Sequence, residues 1–144
     1  MNTKLIGDIA ESAFIFFSLK RGWSVSKPFG ENQKYDLIIE TSENELLRVQ
    51  CKSASINDNG RIVVPLYTMQ SGNKSTKSKK RAYKSTEIDA FGIYCDETES
   101  CYLIRNEDLD INDDGEIQKN LNLLINSPKG KNSGLQRMAE DYRI

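Results

Sequence analysis

The chain has 144 residues, 38% hydrophobic and 28% charged, with 20 basic and 21 acidic side chains for a net charge of −1. That length can bury a core without staples, so a single domain over residues 1–144 is expected. The longest apolar run, residues 13–17, falls far short of the roughly 20 residues of a membrane span. Residues 1–12 lack a signal-peptide core, so an intracellular, cytoplasmic protein with no membrane partner is expected. Histidine is absent, which excludes Ser-His-Asp and Cys-His nucleophilic sites, histidine general bases and histidine-containing zinc sites.

Asn2 or Thr3 can cap a helix over about residues 3–21, and Gly22 stands where a left-handed C-terminal cap belongs. Helical spacing places Ile6, Ile9, Ala10, Ala13, Phe16 and Phe17 on its core face, while Phe14, Ile15 and Leu19 widen the apolar surface. A short strand over 23–25 is broken by Pro28-Phe29-Gly30. Residues 35–41 and 45–53 read as a hairpin about Ser42-Glu43-Asn44. Residues 61–67 read as a further strand, and residues 90–95 and 101–105 as another hairpin. Residues 116–125 read as helical, 127–133 as a loop and 134–142 as a short terminal helix, giving a C-terminal helical tail at about 116–144. Helix, strands, then helices describe an α+β fold with a mixed sheet.

Cys51, Cys95 and Cys101 are odd in number and scattered, and read as reduced strand thiols. Cys95 and Cys101 lack the second ligand pair of a zinc site. The charge is uneven: residues 1–86 carry 14 basic and 8 acidic side chains, residues 87–144 carry 6 and 13. The basic excess is concentrated in a loop at 71–85, where Lys74, Lys77, Lys79, Lys80, Arg81 and Lys84 meet no acid. Such a loop either tracks phosphates or is a solvated surface.

Alternation in ELLRVQCKS puts Gln50 and Lys52 on one strand face and Val49 and Cys51 on the other. If the two strands pair across Glu43-Asn44, Asp36 falls within a residue or two of that rung. An acid, an amide and a lysine then converge at one end of a hairpin. Taken singly, Glu11 is an ordinary polar helix position, Asp36 an ordinary strand start, and Gln50-x-Lys52 a frequent chance spacing.

The order YDLIIE, then RVQCK, behind a helix that carries Glu11, resembles the PD-(D/E)XK nuclease superfamily. That family places an aspartate on one strand and acid-x-lysine on the next, often with a glutamate on the first helix. The chain is similar to a Gln-x-Lys branch that includes a homing endonuclease of a cyanobacterial group I intron. The similarity runs through GDIAESAFIFFSLKRGWSVSKPFGENQKYDLIIE, LLRVQCKSA and YKSTEIDAFGIYCDETESCYLI, and more weakly through AEDY. Tyr35 stands where the family has proline, and Gln50 where it has an acid.

The resemblance implies a restriction-endonuclease-like core, a mixed β-sheet flanked by helices. Glu11, Asp36, Gln50 and Lys52 become the candidate catalytic residues. The implied cofactor is Mg²⁺, with Mn²⁺ as a substitute. Asp36, the Gln50 amide and the Cys51 backbone carbonyl supply hard oxygen ligands, and Glu11 reaches the ion through water or a second metal. Lys52 either orients or deprotonates the attacking water, or neutralises developing charge.

The implied partner is double-stranded DNA with a long, partly palindromic site. Lys27, Arg61, Gln70, Asn73 and the basic residues of 71–85 are the candidate DNA contacts, with Arg61, Gln70, Asn73 and Arg81 reading bases. Tyr83 and Asp89 read as loop anchors. One unit nicks one strand, so a double-strand cut needs two copies. The resemblance accordingly implies a homo-oligomer, dimer or tetramer, with Phe14, Phe17, Leu121, Leu123 and Leu124 as interface or as plain core. Two other functions fit the same residues: a Holliday-junction resolvase-like nuclease, and a non-catalytic DNA-binding protein on a degenerate nuclease fold, which Gln50 favours.

Overall fold

A computed structural model describes residues 1–74, 77–126 and 136–144. Helix α1 (Thr3–Lys20) starts at Asn2, whose side-chain oxygen accepts the Leu5 N–H at 2.8 Å. It ends where Gly22, at φ +80°, turns the chain back. The N–H groups of Gly22 and Trp23 there return to the carbonyls of Leu19 and Ser18 at 2.9 and 3.1 Å. The helix buries Ala10, Phe14 and Ser18, one residue per turn, flanked by partly buried Ala13 and Phe17. Ile6, Ile9 and Phe16, expected in the core, are instead exposed along with Leu5 and Leu19. So many apolar positions ring this helix that spacing alone does not choose the docking face. The sheet chooses it. A Cβ at Gly92 would lie 2.7 Å from the Phe14 ring, so only glycine lets that ring rest on the strand.

The strands are β1 (Ser24–Ser26), β2 (Leu37–Glu40), β3 (Leu46–Ile56), β4 (Arg61–Pro65), β5 (Tyr67–Gln70), β6 (Lys79–Ala82), β7 (Ala90–Cys95), β8 (Ser100–Arg105) and β9 (Asn120–Leu124). β3 is the axis. Its start pairs antiparallel with β2, from Glu40↔Leu46 to Leu37↔Val49. Its middle pairs parallel with β7, from Val49↔Ala90 to Ala54↔Cys95, and β8 closes that edge antiparallel. Its end pairs with β4 at Ser55↔Val63 and Ile56↔Ile62, and β4 in turn pairs with β9. β5 and β6 form a separate two-stranded hairpin.

Two cores lie on opposite faces of this sheet. α1 covers Leu37, Ile39, Val49 and Cys51 with Phe14. The other face packs Phe91, Ile93 and Ile104 against Ile62, Val64, Leu66, Tyr83, Leu121 and Leu123. Among the described residues, no helix is long and apolar enough to cross a membrane.

Four expectations change. Residues 116–125 are not helical: Asn120, Leu121, Asn122 and Leu123 alternate exposed and buried, and β9 lies antiparallel to β4. That two-residue period buries one face of a strand, and no helix would do so. Among the described residues, the expected C-terminal helical tail holds one 3₁₀ turn, Ala139–Tyr142; residues 127–135 lie outside the described residues. The strand expected over 61–67 divides at Leu66, which is buried and donates its N–H to the Lys119 carbonyl at 2.8 Å. The basic loop is in part a strand, β6. Of the residues read as interface or plain core, Phe14, Leu121, Leu123 and Leu124 are core, and Phe17 is half-buried against the Phe14 cluster.

Candidate active site

Asp36 lies just past the last β2–β3 rung. Its N–H donates to the Val49 carbonyl at 2.9 Å, and its Oδ2 accepts the Cys51 N–H at 3.0 Å. The carboxylate is thereby tied to the edge of β3, beside Gln50. Along β3 the buried residues Leu47, Val49 and Cys51 alternate with half-buried Arg48, Gln50 and Lys52. The expected sharing of one face by Gln50 and Lys52 is thus what the strand presents. Glu11 comes from α1. With Lys27, Pro28, Gln33, Tyr35 and Asp36 it lines an open groove of about 420 Å³.

The electrostatics follow from partial burial. Loss of hydration raises the Asp36 carboxyl above its ordinary value and the nearby Glu11 adds to the rise, while the Cys51 N–H, Lys52 and Lys27 oppose it. Lys27 pairs its ammonium with the Glu11 carboxylate, and that bond raises its pKa. Burial lowers the pKa of Lys52, against a smaller upward pull from Asp36. Burial also holds the thiols protonated: Cys51 is well above its usual range and Cys101 is pushed up to about 12.

These groups suit a hard cation. Glu11, Glu31 and Asp36 line one groove, and the Lys27 ammonium pairs with Glu11 there and also pulls on Asp36. Among the described residues, no three Asp, Glu, Cys or His side chains cluster closely enough to ligate a metal by themselves. The Gln50 amide oxygen and the Cys51 carbonyl would have to complete an oxygen shell, a donor set that fits Mg²⁺ better than a soft metal.

Lys52 points to a neighbour that its strand does not supply. Its Nζ donates to the Tyr67 carbonyl at 2.9 Å and lies 4.9 Å from the centroid of the Tyr83 ring. Sequence reading placed Tyr83 only as a loop anchor. The two residues are distant in the chain, and no local spacing signals that they meet. Asp89 does anchor its loop: its carboxylate accepts the Arg48 N–H, Nε and Nη2, each at 2.9 Å.

The candidate DNA contacts divide. Gln70, Asn73, Lys74, Lys77, Lys79, Lys80 and Lys84 are exposed on or around the β5–β6 hairpin. Arg81 is half-buried, its guanidinium bound to Glu87 at 3.0 and 3.2 Å. Arg61 is exposed at the start of β4, after the turn at Asn57. Lys27 belongs to the acidic groove and pairs with Glu11.

A helix over one face of a mixed sheet, an acid at the end of one strand, and an amide and a lysine on the next together define a restriction-endonuclease-like nuclease fold. The chain belongs to the PD-(D/E)XK endonuclease family, whose model matches residues 1–144. It is similar to the solved structure of a bacterial homing endonuclease, I-Ssp6803I, with a TM-score of 0.72 and 26% identity over 99% of this chain and 89% of that one. No curated protein matches the chain. The family implies a DNA substrate, and its members generally use divalent metal ions.

Proposed function

We propose that the protein is a Mg²⁺-dependent, site-specific double-strand DNA endonuclease of the intron-encoded homing type, with residues 1–144 as one endonuclease domain. The observation that carries this reading is the tie between the Asp36 carboxylate and the Cys51 N–H, which sets an acid beside Gln50 and Lys52 at the mouth of the Glu11 groove. Asp36, the Gln50 amide, the Cys51 carbonyl and Glu11 hold the metal, and Mn²⁺ substitutes for Mg²⁺. When bound, the ion polarises the phosphoryl oxygen and acidifies a water. Lys52 keeps its proton in this reading and neutralises charge that develops on the phosphate. The lysines of the β5–β6 hairpin hold flanking phosphates. One chain carries one such site, so a double-strand cut requires a homo-oligomer, dimer or tetramer.

One observation favours a second reading, a non-cleaving DNA-binding protein. Gln50 stands where the family pattern has an acid, so the strand pair supplies one carboxylate, Asp36, where the pattern supplies two.

The deciding experiment offers purified protein a randomised duplex library and a four-way junction, with Mg²⁺ or EDTA, beside an Asp36→Asn control. Recovery of one long, partly palindromic cut site, lost with EDTA and with the control, is the expected result. Cutting of the junction alone would move the assignment to a resolvase. Salt-sensitive binding without cutting of either substrate would sink the endonuclease reading.

A further inference from the structure

We infer that Tyr83 is the positioning residue of Lys52, which makes the root of the β5–β6 hairpin a working part of the active centre. The inference rests on the endonuclease reading of Asp36 and Lys52. A lysine side chain is a flexible four-carbon stem, and a strand position alone does not fix where its ammonium sits. Here two groups from outside the strand fix it. The Tyr67 carbonyl takes one of its three N–H donors at 2.9 Å. The Tyr83 ring lies 4.9 Å away, within the range of a cation–π contact. Neither group is an anion, so the ammonium is held in place while its full charge remains available to a phosphate.

Tyr83 is itself held from several sides. It is 4% exposed, and its ring meets Phe91 edge-on at 5.6 Å and 79°. Phe91 is the register partner of Gln50 on β7. The Tyr83 hydroxyl lies near the side chain of Thr68 on β5, and the Tyr83 carbonyl accepts the Ile117 N–H at 2.8 Å. The ring therefore cannot slide from under Lys52 without disturbing both the core and the hairpin. The same hairpin presents Lys80, whose ammonium stacks on the Tyr67 ring at 4.7 Å. The element that offers lysines to DNA is thus the element that holds Lys52.

The test compares full-length Tyr83→Phe and Tyr83→Leu with the wild type by two readouts. The first is the proton shift of the Lys52 ε-methylene, assigned by its loss in Lys52→Arg. A ring face under the side chain moves that signal upfield in the wild type and in Tyr83→Phe, and Tyr83→Leu returns it to the ordinary lysine position. The second is single-turnover cleavage at saturating protein. Tyr83→Phe should stay within about threefold of wild type, and Tyr83→Leu should fall about tenfold with DNA affinity within about twofold. An ordinary ε-methylene shift in the wild type would overturn the inference. So would a folded Tyr83→Leu that cuts at the wild-type rate, or equal losses in Tyr83→Phe and Tyr83→Leu. If Tyr83→Leu does not fold, the shifts of wild type and Tyr83→Phe decide alone. A wild-type protein that cuts no DNA would refute the endonuclease reading, and the upfield shift would still decide whether Tyr83 holds Lys52.

Discussion

The two faces of β3 are built to different rules. On the α1 face, Leu47, Val49 and Cys51 join a dry cluster with Phe14, Leu37 and Ile39. On the other, Gln50 and Lys52 stand half-buried next to Asp36, whose carboxyl is raised by lost hydration. The first face contributes to stability through close packing, and it carries no group that could act on a phosphate. The second holds charges where water is scarce, which costs stability but strengthens their action on a substrate. A substitution on each face should therefore separate the two properties.

The largest separation is expected at Lys52. Lys52→Ala should slow single-turnover DNA cleavage by roughly 10²–10³-fold, the usual effect of removing one group aimed at developing charge. Its urea midpoint should not fall, because the lost ammonium was partly desolvated. A cleavage rate near wild type would end the proposed role.

Gly92→Ala tests the opposite face. The new methyl would lie 2.7 Å from a fully buried Phe14 ring. Overpacking of this kind costs about 1–3 kcal/mol in urea unfolding. Cleavage per folded molecule should stay at the wild-type rate, and an unchanged stability would mean that α1 can lift off the sheet.

Asp89→Asn should act between these extremes, with a loss of about 1 kcal/mol at neutral pH, allowing for the exposure of the Arg48 pair. Arg48 holds the Asp89 carboxyl below its ordinary value. The folded state thus gains from this group above the usual carboxylate range and loses the gain as the pH falls through the lowered value. The stability gap between wild type and variant should narrow in acid. A gap independent of pH would show that the charge of Asp89 is not what anchors the loop.

The smallest effect is expected from Asp36→Asn, read as stability. The amide oxygen can still accept the Cys51 N–H, and the penalty of a dehydrated carboxylate disappears. The melting temperature should hold or rise slightly in metal-free buffer. A clear fall would mean that the carboxylate stabilises the fold, and the contrast between the two faces of β3 would need revision.

Much of this was legible along the chain. Alternation alone separated Gln50 and Lys52 from Val49 and Cys51, because a strand's two-residue period is local. The helix caps at Asn2 and Gly22 were legible for the same reason. The docking face of α1 was not. Its apolar residues outnumber one face, and the choice of Phe14 depends on Gly92, which arrives from a distant strand. β9 was misread because leucines spaced two and three apart satisfy both periods until β4 supplies a partner.

Residue order alone determined which chemistry is available: no histidine, one aspartate before a strand, an amide and a lysine two apart on the next, and a basic segment further on. Those are properties of composition and local periodicity. Only the tertiary structure decided where the lysine's ammonium rests, by bringing Tyr67 and Tyr83 from the hairpin root against β3. A side chain's direction is fixed by its contacts across the fold, and those contacts join elements that local sequence patterns do not connect.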